Sequence, residues 1–117
     1  MRSAIVIPRA LFQDVKIRNA ADVLTMATIG GARCLGLDRE LGSLEPGKKA
    51  DVILVDMRTA WCSPVRIHNI VTNLVYNANG SDVTHVLVDG EMLVDDRRLT
   101  RFDEAELIGE AQQVAES

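Results

Sequence analysis

The sequence predicts an α+β protein in which helical segments come first and antiparallel strands follow. Three observations carry this reading. Residues 19–37 repeat small and apolar side chains at helical spacing. Val52, Ile53, Leu54 and Val55 form an unbroken apolar run between Asp51 and Asp56. Val86, Val88, Met92 and Val94 alternate on either side of Asp89-Gly90.

Residues 1–12 are apolar and read as partly helical, with Pro8 as the main objection to one uninterrupted helix. From Asn19 the helical signal strengthens. Asn19 or Asp22 offers a cap, and Ala20, Leu24, Ala27, Gly31 and Leu35 follow on one face of small residues. Gly30-Gly31 costs about 1 kcal/mol per residue inside a helix, so two helical pieces are expected to meet there. Glu45-Pro46-Gly47-Lys48 predicts a type II turn, proline presetting φ and glycine supplying the positive φ that follows. The apolar run 52–55 does not alternate, which predicts a strand covered on both faces. Trp61 to Pro64 reads as a connection and residues 67–76 as a short helical turn. Residues 82–96 read as a hairpin around Asp89-Gly90. Residues 103–115 predict a terminal amphipathic helix with Leu107, Ile108, Ala111 and Val114 on its buried side.

At 117 residues the chain is long enough for one independent core. Apolar residues make up 47% and charged residues 26%, the balance of a soluble globular domain. A net charge of −4 argues against non-specific binding to nucleic acid or anionic membrane, and Arg97, Arg98 and Arg101 are interleaved with acids. Pro8 and Arg9 break the early apolar run before it resembles a secretory leader, and the run is too short to span a bilayer. Cys34 and Cys62 form no CxxC pair and read as small core residues of a reduced, cytoplasmic protein. Asn79-Gly80-Ser81 is then a turn, not a glycosylation site.

The stretch LTMATIGGARCLGLDRELGSLEPGKKADVILVD is similar to the C-terminal region of amidohydrolase-superfamily enzymes. The branch it resembles contains triazine hydrolases, guanine deaminases and S-adenosylhomocysteine or methylthioadenosine deaminases. The later segment NLVYNANGSDVTHVLVDGEMLVDDRRLTRFDE resembles the closing hairpin and helix of the same family. The resemblance implies metal-dependent hydrolysis of a non-peptide carbon–nitrogen bond, such as deamination of a ring amine. It also implies a TIM barrel that holds zinc or iron, and a composite β-sandwich built from both ends of the polypeptide. Residues 1–37 resemble the last barrel helix and its exit. Residues 38–117 resemble the C-terminal half of the sandwich, with its strands, hairpin and terminal helix. No complete barrel fits in this length.

The chemistry implied by the family has no inheritor here. The family's ligands are an HxH pair, two later histidines and an aspartate after the eighth strand. His68 and His85 are the only histidines; they are not an HxH pair, and Asp14 lies past the helix that follows that strand. No catalytic, metal-binding or substrate-binding residue is therefore assigned, and no cofactor is expected in this chain. A new metal site from His68, His85 and Cys62 is disfavoured by spacing, and His85 reads better as an outward polar position. His68 next to Asn69 reads as a turn residue. Cys34 has no nearby base to make it a nucleophile. Lys48-Lys49 is followed by Ala50, so the Gly-rich pieces do not match a phosphate loop.

The expected function is that of an amidohydrolase-like fragment, inactive alone. The alternatives are one chain of a split enzyme, with a separate barrel chain, and a repurposed oligomerisation or binding domain. Strand edges and the apolar face of residues 1–37 are expected to be open and covered by association, which predicts a homo-oligomer.

Overall fold

A computed structural model describes residues 1–116. The first layer is helical: α1 (Ser3–Phe12), α2 (Ala20–Thr25), α3 (Gly31–Cys34) and α4 (Ile70–Tyr76). The second is a sheet of β1 (Val52–Val55), β2 (Val83–Val88), β3 (Glu91–Asp95) and β4 (Arg98–Leu99). The helix α5 (Glu104–Glu116) follows it. The chain is thus α+β, with α4 falling between β1 and β2 and α5 after the last strand.

Pro8 does not break α1, contrary to the sequence expectation. Proline in a helix interior costs about 3 kcal/mol or more, and tertiary contacts on both sides of it offset that cost. Ile5 is fully buried. Arg9 donates to the carbonyls of Ile17 and Arg18 at 3.0 and 2.7 Å and to the Tyr76 hydroxyl at 3.3 Å, while Arg2 donates to the Tyr76 carbonyl at 2.9 Å. Gln13, in the left-handed region at φ 51°, ends the helix.

α2 begins on a reciprocal cap. The Asn19 side chain accepts the Asp22 N–H at 3.0 Å, and the Asp22 carboxylate accepts the Asn19 N–H at 2.8 Å. The expected junction of two helical pieces is present, but it is centred on Thr28, not on the glycines. Thr28 sits at φ −119°, ψ −106°, and its hydroxyl donates to the Leu24 carbonyl at 2.7 Å. The threonine gives its bond to the preceding turn, while both glycines keep helical angles.

Gly42, at φ +88°, lies so close to Ala32 and the Ile29 backbone that a Cβ there would stand 2.8 Å from each. Small residues in this motif therefore let the loop press onto the helix. Gly47 at φ +91° and the Lys48 N–H bond to the Glu45 carbonyl, 3.2 Å, form the expected type II turn.

The sheet is antiparallel, in the order β1-β2-β3-β4. Val52 pairs with Leu87 and Leu54 with His85; Val86 pairs with Val94 and Val88 with Glu91; Val94 pairs with Leu99. Asp89 and Gly90, at φ 51° and 81°, make the hairpin turn that the alternation predicted. Asp96 and Arg97, at φ 43° and 65°, make a second turn of the same kind into β4.

The buried core is small: Ile5, Val23 and Val75, packed by Ala4, Ala20, Leu24, Val71 and Tyr76. Three expectations about burial are corrected. β1 is not covered on both faces: its successive residues Ile53 and Leu54, which point to opposite faces, are 56% and 50% exposed, and the strand lies at the sheet edge. α5 keeps its apolar stripe but buries none of it. Cys34 is exposed, whereas Cys62 is buried, and both are free thiols. The radius of gyration is 17.5 Å, against about 13 Å for a compact chain of this length. The accessible area is 8807 Å², against about 6,300 Å² for a compact monomer of this mass.

Candidate functional site

Three places on the molecule gather side chains capable of chemistry or binding. The first lies where β1 leaves the sheet. The Asp56 N–H bonds the Asp82 carbonyl at 2.8 Å, which fixes the carboxylate of Asp56 beside Arg58 and Arg97. Arg58 donates its Nε and backbone N–H to Asp56 at 3.0 Å each, and Arg97 stands 3.9 Å away. The side-chain bonds from Arg58, then its backbone N–H, hold the Asp56 carboxyl down to about 2. Asp56 is therefore a fixed anion across the working range of an enzyme, not a proton carrier. Next to it, His85 faces Asp95 across the β2–β3 ladder. Its Nε2 is 3.2 Å from the Asp95 carboxylate and its Nδ1 is 2.8 Å from the Thr84 hydroxyl. Both ring nitrogens are engaged, the arrangement of a cross-strand polar pair.

The second place is a buried polar node. Asp82, 2% exposed, accepts the Trp61 Nε1–H at 3.0 Å and the Asn79 N–H at 2.8 Å. Asn73 donates to the Cys62 carbonyl at 2.7 Å. These bonds tie the connection 57–64 to α4 and to the start of β2. Sequence reading missed this node; the only local signal for it is the Asn79–Asp82 cap, which encloses Gly80-Ser81. The Asn79-Gly80-Ser81 stretch is the expected turn.

The remaining candidates disperse. His68 is exposed, and Asn69 makes the turn bonds in its place: its side chain accepts the Arg66 N–H at 2.8 Å and donates to the Pro64 carbonyl at 2.9 Å. The amide can accept and donate at once from this position, which is what the turn requires. Asp14 accepts the Lys16 N–H within its own turn, at 2.8 Å. Lys48 donates to the Asp38 carbonyl at 2.7 Å and the Ser43 hydroxyl at 2.6 Å, and Lys49 pairs with Glu40 and Asp89. The two lysines hold the turn onto its flanks. The Glu45 carboxyl is lowered by its hydrogen bond from Ser43 and by Lys48. Among the described residues, no three His, Cys, Asp or Glu side chains converge on a point where a metal ion would be held. No described helix is long and apolar enough to cross a membrane.

The third place is an open apolar groove between the helices and the sheet edge. Leu24, Ala27 and Leu35 line one wall, and Leu44, Val52 and Ile53 the other. Leu35 and Leu44 are 75% and 80% exposed. Thr28, Ser43 and Asp51 also line it, but their side chains are bonded to the Leu24 carbonyl, the Glu45 carboxylate and the Asp89 N–H, so the surface is suited to packing against protein.

The helices and the open antiparallel sheet together make a small α+β unit. The chain belongs to the amidohydrolase family, whose model matches residues 1–93. It is 36% identical to a 5-methylthioadenosine/S-adenosylhomocysteine deaminase of Syntrophomonas wolfei, over 98% of this chain and 26% of that protein. It is 40% identical to an S-triazine hydrolase of Gordonia rubripertincta, over 86% of this chain and 20% of the relative. Among solved structures, an adenosine deaminase from Xanthomonas campestris with bound zinc superposes with a TM-score of 0.91 at 35% identity, covering 98% of this chain and 26% of its own. The chain spans about a quarter of the length of these relatives. The donors on the described residues do not fit a zinc ion of the kind that structure holds. His85 and Asp95 are engaged with each other, and His68 lies alone on a turn.

Proposed function

We propose that this chain is the C-terminal scaffold of a metal-dependent amidohydrolase that removes an amino group from a purine-like ring. Residues 1–37 would continue the catalytic barrel, and residues 38–117 would supply one share of the composite β-sandwich. The metal ligands and substrate-contacting loops would come from a barrel outside residues 1–117. The chain by itself would then turn nothing over, and its catalytic, metal and substrate residues are none. The observation that carries this reading is the match over nearly the whole chain, TM-score 0.91, to about a quarter of a zinc-containing adenosine deaminase. The open groove along α2, α3 and β1 adds support, because its apolar walls need protein against them. The free, exposed Cys34 thiol suits a reducing compartment, and we place the protein in the cytoplasm.

A chimera tests the proposal. In the Xanthomonas campestris deaminase, the matching quarter is replaced by residues 1–117. The expected result is a soluble protein that retains zinc and releases ammonia from adenosine. A chimera that folds and binds zinc but has lost all turnover would contradict the scaffold role, as would one that cannot be made soluble.

A further inference from the structure

Asn79 and Asn19 occupy nearly the same local structure, but only Asn79 is followed by glycine. Each caps a helical turn from extended backbone, at ψ 178° and 177°. The Asn79 side-chain oxygen accepts the Ser81 N–H and that of Asn19 accepts the Asp22 N–H, both at 3.0 Å. Each also gives its own N–H to an aspartate carboxylate at 2.8 Å, and both residues are exposed. Three differences set Asn79 apart. Its successor is Gly80, where Asn19 precedes Ala20. Its turn, Gly80–Asp82, is three residues long against six for α2, so local opening frees the side chain at lower cost. Its oxygen also accepts the Ser81 hydroxyl at 2.5 Å, a second donor that draws electron density away from Cγ. Gly80 itself is exposed and its φ is not positive. Beyond its chain neighbours, no heavy atom lies within 4 Å of the place a Cβ would take. The fold leaves its amide nitrogen uncrowded and does not itself require glycine there.

We propose that Asn79 is a site of spontaneous deamidation, and that its conversion loosens the buried contact between Trp61 and Asp82. The Gly80 nitrogen attacks Asn79 Cγ. An N–Cγ bond forms, the Cγ–Nδ2 bond breaks, and Nδ2 leaves as ammonia, taking the proton from Gly80. Water then adds to the cyclic imide. Opening at Cγ yields aspartate, whereas opening at the main-chain carbonyl yields isoaspartate. Glycine matters because a Cβ on the attacking residue would hinder the approach. An aspartate at position 79 keeps an acceptor for the Ser81 N–H. Isoaspartate does not keep the turn, since its main chain is longer by a carbon. That carbon separates the residue 79 N–H from Asp82, whose carboxylate accepts both this N–H and the Trp61 indole N–H at 3.0 Å.

The proposal does not rest on the enzymatic reading, and its test reads mass and fluorescence, not turnover. The 117-residue chain is held at mildly alkaline pH in heavy-oxygen water, then digested and sequenced by mass spectrometry. Residue 79 should show the mass of an amide-to-carboxyl exchange carrying a heavy oxygen, and should convert about tenfold faster than Asn19 or more. Both asparagines are in the same sample, so this comparison needs no variant. Gly80→Ala, which the open space accommodates, should slow the conversion by about tenfold or more, with far-UV circular dichroism verifying the fold. The emission of Trp61 should drift in step with conversion in the natural chain and hold steady in Gly80→Ala. An Asn79 as durable as Asn19, or a conversion rate indifferent to Gly80→Ala, would overturn the site. Conversion with no drift in emission would overturn its link to the buried contact.

Discussion

The helical end and the sheet end of this chain follow the same local rules but differ in what they bury. At the helical end, α1, α2 and α4 close around Ile5, Val23 and Val75, each at most 3% exposed. At the sheet end, the strands pair in register, yet Ile53 and Leu54 of β1 stand half exposed and α5 buries nothing. Backbone hydrogen bonds alone satisfy the sheet's local geometry without giving it an apolar core. The clustered apolar burial thus lies at the helical end, while large apolar side chains of β1 and α5 stay exposed.

The sharpest way to break this comparison is to empty the helical core. Ile5→Ala should destabilise the chain by about 2–5 kcal/mol, a large share of the stability of a domain this small. Ile53→Ala in β1 should cost a fraction of that, because the side chain is 56% exposed. Urea denaturation followed by circular dichroism measures both, and equal losses would erase the distinction between the two ends. Next in size is the buried node that joins them. Asp82→Ala leaves the Trp61 indole N–H and the Asn79 N–H without their acceptor. The expected loss is about 1–3 kcal/mol, with a change in the emission of Trp61, the single tryptophan. An unchanged emission and melting curve would remove the node from the account.

Smaller effects sharpen the picture. Asn19→Ala removes the cap of α2 and should cost about 1 kcal/mol, read from the same urea curves. At the sheet end, the Asp56 carboxyl is held down to about 2 by Arg58. Because the folded value is depressed, its contribution to stability is complete above the ordinary aspartate range, near about 4. That contribution is lost as pH falls through about 2. In Arg58→Ala the Asp56 resonance should titrate closer to the ordinary value; a midpoint still near 2 would assign the shift to another cause.

What the sequence disclosed follows the range of the interactions involved. The Asn19 cap, the Pro46-Gly47 turn, the Asp89-Gly90 hairpin and the stripe of α5 are set by residues within a few positions of one another, and all are present. The family motif was legible for the same reason, since it is a run of contiguous residues. Burial was not legible, because it depends on what packs from elsewhere. The same apolar run 52–55 reads as a covered central strand, yet here it occupies an edge. Pro8 was misjudged because its compensation comes from Tyr76 and from the carbonyls of residues 17 and 18. The Trp61–Asp82 bond joins residues 21 apart, and no local pattern announces it.

The central claim is that these 117 residues scaffold a hydrolytic site without holding its metal. The most direct measurement is elemental analysis of the purified chain after dialysis against zinc, paired with an ammonia-release assay on adenosine. The account predicts no stoichiometric zinc and no turnover. One tightly held zinc per chain, accompanied by steady ammonia release, would contradict it.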